Sequence, residues 1–284
     1  MAKTQYQSII RLLQHSGIDT DATINNPRVK KQLSAEFDFS ANGFLEADGY
    51  SYTKNEVFEE LDHPDFEARF TYHRRLWNSK TILCFLEEKA FNYFDFNDEL
   101  KEYYHDTDFD HFFSPYFSLS FNYGIRTFLN DHRFEDASRL LLFENFLVPD
   151  DREEAFSPLR IYLEENLRIL RNINEENYSA FSPQAAHWTF PSWAHMLNSL
   201  PDELYDKQKE IAFYLVNITV AIQKKHPKDC KKISQELTHL TGLPEDLGNT
   251  IASNHKVYKG SSSGTPWGVI VWVVIILLRV MSGC

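Results

Sequence analysis

Much of what this chain does not contain bears directly on its chemistry. Three cysteines in 284 residues, Cys84, Cys230 and Cys284, are too few and too scattered for a disulfide framework or a zinc site, and they fit a reducing compartment. Ten glycines leave little material for a phosphate-binding loop, and none is arranged as one. Gly-x-Ser-x-Gly and His-Glu-x-x-His are both absent, so the common hydrolase signatures are missing. Cations are scarce as well: 29 Lys and Arg stand against 41 Asp and Glu, a net charge of -12. Phosphate backbones are bound by basic stripes that release counterions, so this balance argues against nucleic acid as a partner. The amino-terminal stretch MAKTQYQSIIRLLQHSGID has neither a continuous apolar core of signal-peptide length nor a small-residue cleavage pattern, which leaves the body in the cytosol. In that compartment the glycosylation-type triplets at Asn177 and Asn217 read as chance matches. No cofactor is implied.

Basic residues do cluster once, in KKHPKDCKK, with Lys224, Lys225, Lys228, Lys231 and Lys232. The plain reading is the solvated end of a helix and its turn; the functional one is an acidic partner or lipid headgroups.

Helical periodicity dominates what is present. Thr53 followed three residues later by Glu56 is a capping-box pattern that opens a helix to Leu61, ended by Pro64. From Asp65 to about Ala90 a broad apolar face includes Phe66, Phe70, His73, Leu76, Trp77 and Ile82, with a break near Asn78. Further helices are expected at 3–15, 98–104, 117–129, 134–147, 158–172, 183–197, 202–225, 228–240 and 244–253. Residues 33–52 alternate apolar and polar around Asn42-Gly43, with a second turn signal at Asp48-Gly49; a short β-hairpin or a Gly-rich helix connection both fit. Residues 121–143 read as two antiparallel helices joined at Asn130-Asp131-His132, but no tetratricopeptide period surrounds them. The fold class is therefore mainly α, an irregular helical bundle or α-solenoid-like body over residues 1–258. Of the 23 phenylalanines, 12 fall between Phe91 and Phe146, which places the densest core there rather than a ligand groove.

Candidate metal chemistry is confined to YHDTDFDHFF, where His105, Asp106, Asp108, Asp110 and His111 crowd five potential ligands. The three aspartates match the first ligands of a calcium loop, but His111 stands where Gly is needed and Phe117 where the bidentate Glu belongs. A solvated acidic loop capping the next helix accounts for them more simply. Two Glu-x-x-His pairs, Glu60 with His63 and Glu236 with His239, match half of a di-iron bundle site, and chance produces about one such pair at this composition. HWTFPSWAH, with His187, Trp188, Trp193 and His195, reads as an aromatic corner around Pro191 rather than a ligand site.

The strongest signal comes last. After a small, polar linker over 259–266, KGSSSGTP, the stretch from Trp267 to Leu278 has no polar side chain. Val269, Ile270 and Val271 precede Trp272; Val273, Val274, Ile275, Ile276, Leu277 and Leu278 follow it, and Arg279 closes the run. The 18 residues from Trp267 to Cys284 make about 27 Å of helix, a marginal span for a hydrocarbon core of roughly 30 Å. The expectation is a C-terminal transmembrane helix over 267–284, with Arg279 reaching the far headgroups. Removing it leaves 28 cations against 41 acids, a body of net -13. These features predict a tail-anchored interaction or sensor protein that binds the lipid bilayer by its tail and recruits a protein partner. The competing readings are a membrane-perturbing effector whose tail self-associates on triggering, and a metal-dependent enzyme of the di-iron kind.

Overall fold

The computed structural model describes residues 5–21, 24, 26–87 and 106–260. These residues are mainly helical, with fourteen α-helices and one two-stranded antiparallel sheet. They divide into two compact units, one of the described residues up to Tyr123 together with Asn145–Ala155, the other of Gly124–Glu144 and the residues from Phe156 onward.

The first unit opens with α1 (Ile9–His15), which buries Ile9, Ile10, Leu12 and Leu13. α2 (Asn26–Phe39) was not expected from the sequence. It buries only Val29, Leu33 and Phe37, a single stripe four residues apart. The hairpin lies further on than the alternation around Asn42-Gly43 implies: β1 (Phe44–Ala47) pairs with β2 (Tyr50–Thr53) across Asp48-Gly49. Asp48 and Gly49 have φ of 49° and 84°, the two left-handed residues of a type I′ turn, which matches the strand twist. Thr53 then caps α3 (Lys54–Leu61) in the expected capping box, its hydroxyl accepting from Glu56 N while the Glu56 carboxylate accepts from Thr53 N, both at 3.2 Å. α4 (Phe66–Asn78) and α5 (Lys80–Glu87) are separated at Ser79, where the sequence places a break. Side chains from α1 to α4 and the hairpin form one continuous core.

α6 (Thr107–Asn130) carries the phenylalanine concentration as a ladder. Phe109, Phe113 and Phe117 stack at centroid separations of 5.0 and 4.9 Å, and Phe146 meets them edge-on at 5.8 to 6.5 Å. Spacing of four residues puts the rings above one another on one helix face, and each ring is fully buried. The short α8 (Pro149–Ala155) completes this unit.

In the second unit α6 ends in a Schellman arrangement, with Arg133 N donating to Phe128 O at 2.7 Å and His132 left-handed at φ 55°. That is the tight turn expected at 130–132. α7 (Phe134–Leu141) is shorter than expected and gives way to a 3-10 turn at Glu144–Phe146. α9 (Ser157–Asn172), α10 (Tyr178–Ala185), α11 (Pro191–Asn198), α12 (Tyr205–Ile222), α13 (Pro227–Leu237) and α14 (Glu245–Gly260) follow. The single helix expected over 183–197 is broken because Pro191 starts α11 rather than continuing α10. α7 packs on α11, α12 lies against both α9 and α13, and α13 packs on α14.

The tail from Trp267, with Arg279, lies outside the described residues, as do most of the linker and the helix expected at 98–104. Among the described residues no helix is long and apolar enough to cross a membrane. Lys259 and Gly260, read as linker, belong to the last turn of α14.

Candidate functional site

A cavity of about 420 Å³ opens in the first unit, lined by residues from the start of α1, β2, α3, α4 and α6. Its charged wall is built between α3 and α4. Glu60 on α3 receives a two-pronged contact from Arg69 on α4, Nε to Oε1 at 2.7 Å and Nη2 to Oε2 at 2.6 Å. His73, one turn after Arg69, brings Nε2 to 3.1 Å from Glu60 Oε1, an ion-pair distance at which hydrogen-bond alignment is not met. The other ring nitrogen, Nδ1, is 2.9 Å from the Tyr6 hydroxyl. A carboxylate beside Nε2 favours a proton there, which leaves Nδ1 to accept from Tyr6. Tyr6 also stacks on His73 and meets the edge of Tyr116.

Burial opposes the charge on Glu60, yet the Arg69 hydrogen bonds and the His73 contact outweigh it and hold the carboxyl at about 2. Glu60 is therefore a fixed anion. Burial, with nearby Tyr116 adding to it, pushes the Tyr6 phenol well above its ordinary range, so Tyr6 is a neutral hydrogen-bond donor.

A second buried pair underlies this wall. Arg11 on α1 bridges to Glu87 at the end of α5, with Nη1 to Oε1 at 2.8 Å, and lies 3.9 Å from the Tyr50 ring centroid. Glu87 Oε1 also accepts from Ser8 N at 2.7 Å, and the Tyr52 hydroxyl donates to Ser8 O at 3.0 Å. These bonds fix the chain entering α1 and with it the position of Tyr6. Glu56 and Glu59, exposed one turn apart on α3, add two further carboxylates to the cavity lining. The arrangement can hold a small polar ligand by hydrogen bonds and charge.

The residues singled out from sequence are dispersed. Asp106 caps α6, its Oδ1 accepting from Asp108 N at 3.2 Å and Phe109 N at 3.1 Å. Asp108 and Asp110 occupy the first turn of that helix and His111 follows, so the segment is helical where a calcium loop would wind around an ion. His105 lies outside the described residues. Glu60 is paired with Arg69 and His73 and not with His63, whose Nδ1 accepts from Asp65 N at 3.2 Å. Among the described residues no three His, Cys, Asp or Glu side chains are placed to hold a metal.

HWTFPSWAH forms the aromatic corner. Trp188 and Trp193 are fully buried with both indole N–H groups satisfied, by Asn166 Oδ1 at 2.9 Å and the Tyr162 hydroxyl at 3.1 Å. His187 Nε2 shares Asn166 Oδ1 at 2.8 Å, and its ring stacks on His132. Burial, with electrostatic opposition from the neighbouring His132 ring adding to it, lowers its pKa to about 4. The lysine cluster lies in the turn after α12, with Lys224 and Lys225, and at the start of α13, with Lys228, Lys231 and Lys232, and all five side chains are exposed.

Arg69, Tyr6 and Tyr116 carried no sequence signal. His73 carried a weak one, a histidine four residues after an arginine on a face otherwise apolar. No known protein family, curated protein or solved structure matches this chain.

Proposed function

We propose that this is a membrane-tethered helical protein, held in the bilayer by residues 267–284, whose body recruits a macromolecular partner at the cytosolic face. The observation that carries the reading is the run from Trp267 to Leu278 without a polar side chain, set off by a Gly/Ser linker from a body whose described helices are all too short or too polar to span. Ten Val, Ile and Leu residues between Val269 and Val280 favour insertion by roughly 3 to 6 kcal/mol. Carbonate washing of membranes tests it: the full chain is retained, and a chain ending at Lys259 is released. Equal partitioning of the two removes the tether.

A further inference from the structure

The lysines of α13 stand at the wrong end of their helix for helix stability. Helix N-termini favour anions and C-termini favour cations, yet Lys228, Lys231 and Lys232 occupy the first six residues of α13 while its last turn holds no basic residue. Their i, i+3, i+4 spacing puts them on one face, opposite the buried Cys230, Ile233 and Leu237. Lys225 pairs with Glu175 at 3.6 Å; the first turn of α13 also holds one acid, Asp229, which accepts from the Tyr178 hydroxyl at 3.4 Å, and among the described residues no carboxylate is at ion-pair distance from Lys224, Lys228, Lys231 or Lys232. In a chain of net charge -12, four lysines without an ion-pair partner against a single acid, Asp229, in one short stretch are a concentrated exception.

The direction of α14 gives that surface its meaning. Ser234 Oγ is 3.1 Å from His255 Nδ1, and Tyr258 lies against Cys230, so α14 runs antiparallel to α13. The end of α14 that leads into the tail thus sits beside the lysine-rich start of α13. Lys256 and Lys259 are exposed there, and burial together with Lys259 and Lys231 holds the His255 imidazole below its ordinary range. The acids of α14, Glu245 and Asp246, are at its far end.

We propose that this face, Lys224, Lys228, Lys231 and Lys232 with Lys256 and Lys259, docks on anionic lipid headgroups around the point where the tail enters the bilayer. The proposal rests on the tether reading and adds to it an orientation of the second unit and a lipid preference. Seven positions separate Gly260 from Trp267, so tethering confines the lysine-rich end of α14 near the bilayer, and the attraction to a charged leaflet acts on those lysines that come within about a Debye length of its surface. Each lysine near such a surface contributes about a fivefold preference for it, and several acting together make the preference steep.

The test uses the full chain reconstituted into vesicles of phosphatidylcholine alone or mixed with phosphatidylserine, read by flotation and by amine-reactive labelling of individual lysines. Expected is flotation with both vesicles, and labelling of Lys228, Lys231 and Lys232 that falls about fivefold only with phosphatidylserine and recovers in high salt. Lys80, on α5, serves as the control whose labelling does not change. In K228Q/K231Q/K232Q, the phosphatidylserine-dependent protection of Lys224 and Lys256 is lost. Flotation with both vesicles and identical labelling in each overturns the lipid face and leaves the tether standing. Failure to float with either overturns both.

Discussion

At the scale of single residues, Glu60 controls the wall of the cavity because its carboxylate faces both Arg69 and His73. Its carboxyl sits at about 2 against an ordinary value of 4.5, so its charge stabilises the folded chain. The depressed value means that this stability is complete above the unfolded value and is lost as pH falls from about 4.5 toward 2. Glu60→Gln keeps the shape but leaves the largely buried Arg69 without a counter-charge, a loss of about 3 kcal/mol at pH 7. In urea unfolding the gap between wild type and Glu60→Gln should narrow to about 1 kcal/mol at pH 3. A gap that does not change with pH would mean that the pair is not the source of the stability. His187 provides the complementary case in the second unit. Its pKa is lowered to about 4, so the folded state resists a proton that the unfolded state takes up near 6.5. Stability from the neutral ring is complete above 6.5 and is lost as pH falls through the window down to 4. Between pH 7 and pH 5 wild type should lose about 2 kcal/mol more than His187→Gln, whose amide can still donate to Asn166. Equal losses in the two proteins would show that His187 does not titrate in that window.

Elements were legible wherever their pattern was local. The Thr53/Glu56 capping box, the break before Lys80 and the turn at His132 all follow from residues within a few positions of one another, and the structure has each of them. Thr53→Ala should cost about 1 kcal/mol in thermal or urea unfolding, since it removes the acceptor for Glu56 N, while Glu56→Gln preserves the box and should cost much less. α2 was illegible because its apolar residues do not mark one broad face: Val29, Leu33 and Phe37 make a narrow buried stripe amid charged neighbours while Phe39 stays exposed, and the packing of those three into the core secures it. The hairpin was half legible: both turn signals are real turn chemistry, and the choice between them depends on Tyr52 and Ala47 facing the core together. The cavity wall was illegible for a different reason. Its contacts join Glu60 to Arg69 across a helix connection, and Tyr6 to His73 at a separation of 67 residues, and no local period records such pairs. Even the Glu60-x-x-His63 spacing pointed to the wrong histidine, because a helix face fixes which side chains can share a side but not which neighbour is packed against it.

At the scale of the whole molecule, the question is whether the apolar tail belongs to a bilayer or to the protein's own core, and one substitution separates the two. Ile275 stands midway along residues 267–284, so Ile275→Asp would put a carboxylate near the bilayer midplane at a cost of about 3 kcal/mol, close to the whole margin that favours insertion. Membrane retention after carbonate washing should then fall sharply. Ser282→Asp, placed at the far interface, should have little effect, and Arg279→Leu should strengthen retention by removing the one cation that must reach the headgroups. The thermal unfolding of the body provides the opposing readout. A tail in the bilayer leaves the body's Tm unchanged by Ile275→Asp, whereas a tail packed as a buried strand or helix would lower it by several degrees, because an unpaired carboxylate would then sit in the core. Retention lost with Tm unchanged identifies an anchor; Tm lowered with retention unchanged identifies a core element and removes the tether.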